Sequence, residues 1–120
     1  MAKMYEHYKD FETASYFHKR CLDISIEFKY IEGEAQAYQG LGKCEEEVDN
    51  KFDAMNNLET ALEKANSGEL VDIARDISKD LVRVYKHIAI DYLEKNQFDM
   101  SLQFFEKCLN VAQRAQNKDI

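Results

Sequence analysis

Apolar residues recur every three to four positions along most of the chain, which is the spacing of one face of an α-helix. No segment alternates between apolar and polar residues as a half-buried strand would. The pattern predicts six helical segments, at about 1–8, 11–28, 34–48, 52–65, 70–95 and 98–115. Gly33 is predicted to mark the break after the second segment, and Gly68 to provide the C-cap region of the fourth.

One phrase recurs in these segments. It reads Phe11-x-x-Ala14-x-x-Phe17-x-x-x-Cys21-Leu22 in the second and Phe98-x-x-Ser101-x-x-Phe104-x-x-x-Cys108-Leu109 in the sixth. A weaker copy, Phe52-x-Ala54-x-x-x-Leu58-x-x-Ala61-Leu62, lies in the fourth. The helix before each copy is joined to it by two or three residues, at Lys9-Asp10, Asp49-Asn50-Lys51 and Asn96-Gln97. Links that short make the paired helices antiparallel, so the pattern predicts three helical hairpins.

Further residues place these hairpins in a known pattern. The middle unit has Tyr38, Leu41-Gly42, Ala54, Leu58 and Ala61-Leu62, and the last has Tyr85, Ile88-Ala89, Tyr92, Ser101, Phe105 and Cys108-Leu109. This pattern resembles the tetratricopeptide repeat. The resemblance implies an all-α fold of hairpins stacked as a right-handed α-solenoid, with units at about 1–30, 34–66 and 70–116.

The resemblance also assigns structural positions. Small residues are expected where helices approach closely, at Ala14, Cys21, Gly42, Ala54, Ala61, Ala89, Ser101 and Cys108. Leu58 and Phe105 are expected to be buried. Met1 falls inside the first helix of the first unit, and the stretch after Ala115 is too short for the polar capping helix of a repeat array. We therefore expect residues 1–120 to be part of a longer array, or to have their ends covered by adjoining repeats or other chains.

Ligands of this family usually lie in a concave groove lined by the first helix of each unit. Carried over by position, the groove residues are Gln36, Gln39, Lys43, Glu46, Glu47, Arg83, Lys86, Ile90, Leu93 and Glu94, with Lys3, Glu6 and His7 in the first unit. The carboxylate clamp of chaperone-binding members is incomplete, because Lys43 replaces an Asn. The resemblance therefore implies a non-catalytic scaffold. The alternative is a soluble adaptor that binds a linear cargo or chaperone peptide through Arg83 and Lys86.

Four stretches resemble the repeat region of the tetratricopeptide repeat protein 29 family. They are Phe17-His18-Lys19-Arg20-Cys21, Glu34-Ala35-Gln36-Ala37, Leu81-Val82-Arg83-Val84-Tyr85 and Tyr92-Leu93-Glu94-Lys95-Asn96. That family is associated with ciliary and flagellar axonemes. The likeness implies a structural or assembly component of the axoneme, with dynein, docking or transport components as partners.

Composition narrows the class of partner. The 120 residues contain 23 acidic and 16 basic side chains, for a formal net charge of −7, without a basic cluster. This balance argues against nucleic acid or anionic lipid as the main partner. Three cysteines, an odd number, indicate a reducing compartment, and no apolar run approaches a membrane span of ~18 residues. The predicted localisation is cytoplasmic, including the cilium or flagellum.

Candidate chemistry is sparse. His7, His18 and His87 lie far apart without an HxxxH or CxxC pair, so neither a metal site nor a cofactor nor an enzyme is predicted. Cys21 and Cys108 are interpreted as small packing residues, and Cys44 as less constrained and open to exposure. The run Glu45-Glu46-Glu47 is either a solvated face or a site for a basic partner. Charge reversal there is expected to leave folding nearly unchanged while weakening the binding of a partner, and binding that survived the change would exclude the second interpretation.

Overall fold

The structure is a computed structural model that describes the backbone of residues 2–117 and the side chains of residues 12–115. The described backbone is all-α and contains no strand. It forms five helices: α1 (Ala2–Glu27), α2 (Ile31–Glu47), α3 (Lys51–Ser67), α4 (Val71–Glu94) and α5 (Phe98–Asn117). The all-α prediction is therefore confirmed, with one helix fewer than the sequence pattern indicated.

The missing break is in α1. We predicted two helices joined by a turn at Lys9-Asp10, but α1 continues through both residues, so that prediction is wrong. Neither residue is a helix breaker, and the chain has no proline and no glycine before Gly33. Gly33 itself lies in the first turn of α2 and does not mark a break. The first predicted unit, 1–30, therefore contributes one long helix instead of a hairpin.

Three-residue connections with one backbone geometry join all five helices. The last helical turn is followed by a residue in the left-handed region: Lys29 (φ 55°), Asp49 (φ 64°), Glu69 (φ 56°) and Asn96 (φ 61°). At the first connection Lys29 N–H donates to Ile26 O at 3.1 Å and Tyr30 N–H donates to Ser25 O at 2.8 Å. The same pair of bonds recurs at the other three. This is the Schellman motif, which closes a helix and reverses the chain within three residues.

Each helix packs against its neighbours in the sequence, and α2 also touches α4. The stack measures 46 × 44 × 19 Å, so it is about two helix diameters thick. Packing between consecutive helices, with one contact between alternate helices, is consistent with a helical repeat. The arrangement places α2 and α4 side by side in one layer.

The core lies between α3 and α4. Leu58, Ile77, Leu81 and Val84 are 0–1% exposed there. A Cβ added at Gly42 would lie 2.7 Å from Cγ of Leu58, so α2 crosses α3 at a distance that only glycine permits without rearrangement. Among the other small repeat positions, Ala54, Ala61, Ala89 and Ser101 are buried, and Ala14, Cys21 and Cys108 are half-buried.

The aromatic residues of α5 differ from expectation. Phe104 is 6% exposed and stacks on Tyr92 with ring centroids 5.7 Å apart. Phe105, which we predicted to be buried, is 40% exposed, so that prediction is wrong. The physical reason is that the face of α5 that carries Phe105 has no helix packed on it among the described residues.

α4 is the longest helix after α1. It has 24 residues, whereas α2 and α3 have 17 each, a difference of seven. Seven residues make almost two full helical turns. The additional length of α4 therefore leaves its apolar face pointing in nearly the same direction as it would in a shorter helix.

Candidate partner-binding face

Four of the groove residues predicted from the sequence lie where α2 and α4 meet. α2 contributes Gln39, Lys43 and Glu46, each one turn from the next, and α4 contributes Arg83. Because the two helices lie side by side, residues spaced by one turn on α2 can pair with residues spaced by one turn on α4. We call this surface the α2/α4 face.

Gln39 links two carboxylates of α4. Its Nε2 donates to Oδ2 of Asp76 at 2.8 Å and to Oδ2 of Asp80 at 2.9 Å. Gln39 is 8% exposed and Asp80 is 6% exposed. Both amide hydrogens of Gln39 are therefore used inside the stack, and they hold the Asp80 carboxylate in one position.

Arg83 makes the second link. Its Nε and Nη2 donate to the two carboxylate oxygens of Glu46, each at 2.6 Å, and Nη2 also donates to Oδ1 of Asp80 at 3.0 Å. Lys43 Nζ lies 3.8 Å from Oδ2 of Asp80. The hydrogen bonds to Glu46 raise the pKa of Arg83 above its usual range. This fork geometry fixes the orientation of α4 relative to α2, because a bidentate pair tolerates little rotation.

The other predicted groove residues are not part of this network. Lys86, Leu93 and Glu94 are exposed on α4, and Ile90 is half-buried between them. On α2, Gln36 and Glu47 are exposed. The side chains of Lys3, Glu6 and His7 lie outside the described residues. Within the predicted set, Gln39, Lys43, Glu46 and Arg83 therefore link the two helices, and Lys86, Leu93 and Glu94 are exposed on α4.

The acidic run at the end of α2 points in more than one direction. Glu45 accepts a hydrogen bond from Nδ2 of Asn57 on α3, and Glu46 bonds to Arg83 on α4. Burial raises the pKa of Glu45, and the nearby Asp53 carboxylate raises it further. Our expectation that charge reversal in this run would leave folding nearly unchanged is not supported, because Glu45 and Glu46 both join helices.

Sequence reasoning missed Asp76 and Asp80. On a helix, charged residues one turn apart resemble an ordinary solvated surface. The available signal was the matching spacing of Gln39 and Lys43 on α2, which are also four residues apart. Pairing donors on one helix with acceptors on the next would have identified both aspartates.

A second concave surface lies between α1 and α2. An open groove of about 360 Å³ is lined by Phe17, Cys21 and Ile24 from α1 and by Gln36 and Ala37 from α2. Beside it the His18 ring packs on Gly40, where an added Cβ would lie 2.3 Å from the ring. Burial lowers the pKa of His18, which favours the neutral imidazole.

In the described part of the chain, no three His, Cys, Asp or Glu side chains are arranged to hold a metal ion. Cys44, for which we expected exposure, is 8% exposed, and burial raises the pKa of its thiol. It is buried because its position on α2 faces the neighbouring helices. Within residues 2–117, every helix is too short or too polar to cross a membrane.

The α2/α4 face therefore presents charged and polar groups that hydrogen bonds between α2 and α4 hold in place. No protein-family model matches the sequence, and a search of curated proteins also finds no match.

Proposed function

We propose that this chain is a non-catalytic scaffold that binds another protein on the α2/α4 face. The observation that carries the proposal is the ordered charge network between α2 and α4. Glu46, Asp80 and Arg83 are held in place by one another, Arg83 is itself exposed, and Leu93 and Glu94 lie exposed farther along α4. A surface whose charged groups are already ordered loses less conformational entropy when a partner binds.

The state of Arg83 favours this scaffold over the peptide-adaptor alternative. An adaptor of that kind requires Arg83 to accept a carboxylate from a linear peptide. Both donors on one edge of the Arg83 guanidinium already bind Glu46, and Nη2 also binds Asp80. A peptide carboxylate that bound the Nε/Nη2 edge in a bidentate manner would have to displace Glu46, at the cost of the link between α2 and α4.

We further propose a structural or assembly role in the ciliary or flagellar axoneme, with dynein, docking or transport components as partners. The support for this role is the likeness of four sequence stretches to the tetratricopeptide repeat protein 29 family. The net charge of −7 is compatible with a protein partner and disfavours nucleic acid. The proposed localisation is the cytoplasm, including the axoneme.

The test is a comparative capture from axonemal extract of a ciliated cell, with a non-ciliary extract in parallel. The bait is the unchanged chain or the Leu93→Gln/Glu94→Lys variant of the α2/α4 face. The matched control is Val71→Gln/Glu63→Lys, because Val71 is 44% exposed, Leu93 is 45% exposed, and the charge change is the same. We expect axonemal proteins to be captured by the unchanged chain and by the control, and to be lost with the face variant.

Three outcomes would count against parts of the proposal. Equal capture by all three baits would exclude the α2/α4 face as the binding surface. Recovery of chaperones or cargo tails from both extracts, lost with Arg83→Gln, would favour the peptide adaptor. Recovery of the same proteins from both extracts without chaperones would leave a scaffold and exclude the axonemal role.

A further inference from the structure

The outer face of α5 carries a straight row of exposed apolar side chains. Phe98 is 62% exposed, Leu102 59%, Phe105 40% and Leu109 57%. Their spacing of four, three and four residues places them on one line along the helix. We call this row the α5 stripe. Four large side chains in one row form a patch of the order of a few hundred Å², which is at the upper limit for a surface without a partner.

The register of the repeated phrase shows what kind of element fits the α5 stripe. When Ser101 of α5 is aligned with Ala54 of α3, Leu102, Phe105 and Leu109 match Met55, Leu58 and Leu62. On α3 these three residues pack into the core that α4 closes, and Leu58 is fully buried. The α5 stripe is therefore the same surface that one helix of this chain covers with the next. Its geometry fits an α-helix.

Both edges of the α5 stripe are charged, with opposite signs. Asp99 comes directly after Phe98 in the sequence, and Glu106 directly after Phe105. Both acidic side chains are exposed and lie along the edge of the α5 stripe that points away from α4. The opposite edge is α4, as the bonds from Ser101 to Ala89 O and from Cys108 to Val82 O show. On that edge Lys79 and Lys86 are exposed. Each pair is seven residues apart, so each edge presents one sign of charge every two helical turns.

We propose that the α5 stripe docks an amphipathic α-helix supplied by another protein. The apolar seam of that helix lies on the α5 stripe, its basic flank faces Asp99 and Glu106, and its acidic flank faces Lys79 and Lys86. This is helix-in-groove recognition, in which the apolar anchors provide affinity and the charged flanks provide orientation.

A second copy of this chain fits the α5 stripe less well. If two α5 stripes packed against each other in antiparallel orientation, the edge with Asp99 and Glu106 would face the same edge of the other copy, and those like charges would repel. In parallel orientation that edge would face Lys79 and Lys86 of the other copy, and the net charge of −7 on each chain is then what opposes association. A separate helix with one basic and one acidic flank matches both edges without this overall repulsion.

This inference adds a second surface to the proposed scaffold, and the two can fail separately because the binding-site variants of the peptide assay change only residues of α5, which are not part of the α2/α4 face. The probes are two fluorescently labelled helical peptides of equal length with a leucine seam. The mixed peptide carries Lys on one flank and Glu on the other, and the acidic peptide carries Glu on both. Fluorescence anisotropy measures the Kd of each peptide for the full chain and its variants.

We expect the mixed peptide to bind the unchanged chain more tightly than the acidic peptide does. Leu102→Gln/Leu109→Gln should weaken this binding at least about tenfold, because two apolar anchors lose their contacts. Both residues are more than half exposed, so the variant should keep its fold, which circular dichroism checks. The matched control is Phe17→Gln/Ile24→Gln on α1, which removes two equally exposed apolar residues and should leave the Kd unchanged.

The charged edges are tested by Asp99→Lys/Glu106→Lys, which makes both edges basic. This variant should reverse the preference and bind the acidic peptide more tightly than the mixed one. The proposal is overturned if the stripe variant binds both peptides as the unchanged chain does, or if the edge variant keeps the original preference. It is also overturned if sedimentation equilibrium shows a dimer of the unchanged chain that the stripe variant abolishes, because a second copy would then occupy the surface.

Discussion

Phe104 and Phe105 are adjacent in the sequence but lie in opposite environments. Phe104 faces inward, where its ring contacts those of Phe52, Tyr85 and Tyr92 at centroid distances of 5.7–6.4 Å. Phe105 lies on the α5 stripe and is 40% exposed. Two substitutions of the same type, one residue apart, therefore report on two different surfaces of α5.

We predict that Phe104→Ala lowers the free energy of unfolding by about 3–5 kcal/mol, because it leaves a cavity among aromatic rings. Phe105→Ala should lower it by less than about 1.5 kcal/mol, because much of that side chain is already in water. Urea unfolding of both variants, followed by circular dichroism, measures the difference. Equal losses would mean that the inward and outward faces of α5 are wrongly assigned.

Burial of Glu45 makes the contribution of this residue to the free energy of unfolding depend on pH. Its pKa is raised in the folded state, so the fold prefers the protonated carboxyl, and the ionised form destabilises the fold at pH 7. Below the unfolded pKa of about 4.3 the carboxyl is neutral in both states and this penalty disappears. The effect therefore acts above pH 4 to 5 and is lost in acid.

We predict that Glu45→Gln raises the free energy of unfolding at pH 7 and that the gain disappears as the pH falls below about 4.3. The Gln carbonyl oxygen can still accept the hydrogen bond from Asn57, so the substitution removes the charge and keeps the contact. Thermal unfolding of both proteins between pH 3.5 and pH 8 measures the difference. The opposite trend, with the gain largest in acid, would contradict the assigned pKa direction.

At the scale of elements, the four connections use one backbone geometry without glycine at the left-handed position. Lys29, Asp49, Glu69 and Asn96 all adopt positive φ. A residue with a Cβ costs roughly 1–2 kcal/mol in that region, and only part of this cost is offset by the greater freedom of glycine in the unfolded chain. These positions therefore store a small amount of strain.

We predict that Glu69→Gly raises the free energy of unfolding by about 0.5–1 kcal/mol, since glycine adopts the left-handed conformation without strain. The matched control is Glu63→Gly in α3, which is also exposed and should lower it by about 1 kcal/mol. Chemical unfolding of both variants measures the effect. If both substitutions destabilise equally, the φ value of 56° at Glu69 does not limit stability.

The pairing of α2 with α4 can be tested by exchanging the charges of one pair. Glu46→Arg places two guanidinium groups together and should lower the free energy of unfolding by about 1 kcal/mol, because the pair is partly exposed. The double variant Glu46→Arg/Arg83→Glu restores opposite charges and should recover at least half of that loss. A double-mutant cycle from urea unfolding measures the coupling, and a coupling of zero would show that the pair does not hold the helices together.

The sequence alone predicts the bounds of α3, α4 and α5 to within two residues at each end. The reason is that their apolar faces are strongly periodic and their connections contain clear turn residues. It fails at Lys9-Asp10, where two polar residues suggest a turn but no breaker interrupts the helix. It also misses the bond of Gln39 to Asp76 and Asp80. That bond depends on which faces of α2 and α4 meet, and helix periodicity within one segment does not contain this information.

At the scale of the whole molecule, stability is unevenly distributed along the stack. Among the described side chains, the buried hydrophobic cluster is built from residues of α2, α3, α4 and α5, and residues 12–27 of α1 contribute none of its members. In a stack where each helix contacts its neighbours, an end helix can open without the rest. α1 should therefore be the least protected element and α4 the most protected.

We predict that amide hydrogen exchange is fastest in residues 12–27 of α1 and slowest in the middle of α4, around Leu81 to Ile88. A shortened chain of residues 31–120 should still unfold cooperatively, with a lower urea midpoint because the surface that α1 covers on α2 is exposed. Exchange at a uniform rate through all five helices, or loss of helical structure in the shortened chain, would indicate a single cooperative core instead.

The seven extra residues of α4 have a consequence for how such a chain can change length. An insertion of seven residues rotates the helix by only about 20° away from two whole turns, whereas three or five residues would turn the apolar face out of the core. The α4 side of the α2/α4 face can thus grow or shrink by about 10 Å at a time with only this small rotation of the buried face. The length of this surface can therefore change in steps of one heptad. An insertion or deletion of seven residues alters the length of the surface but leaves the helix packing almost unchanged.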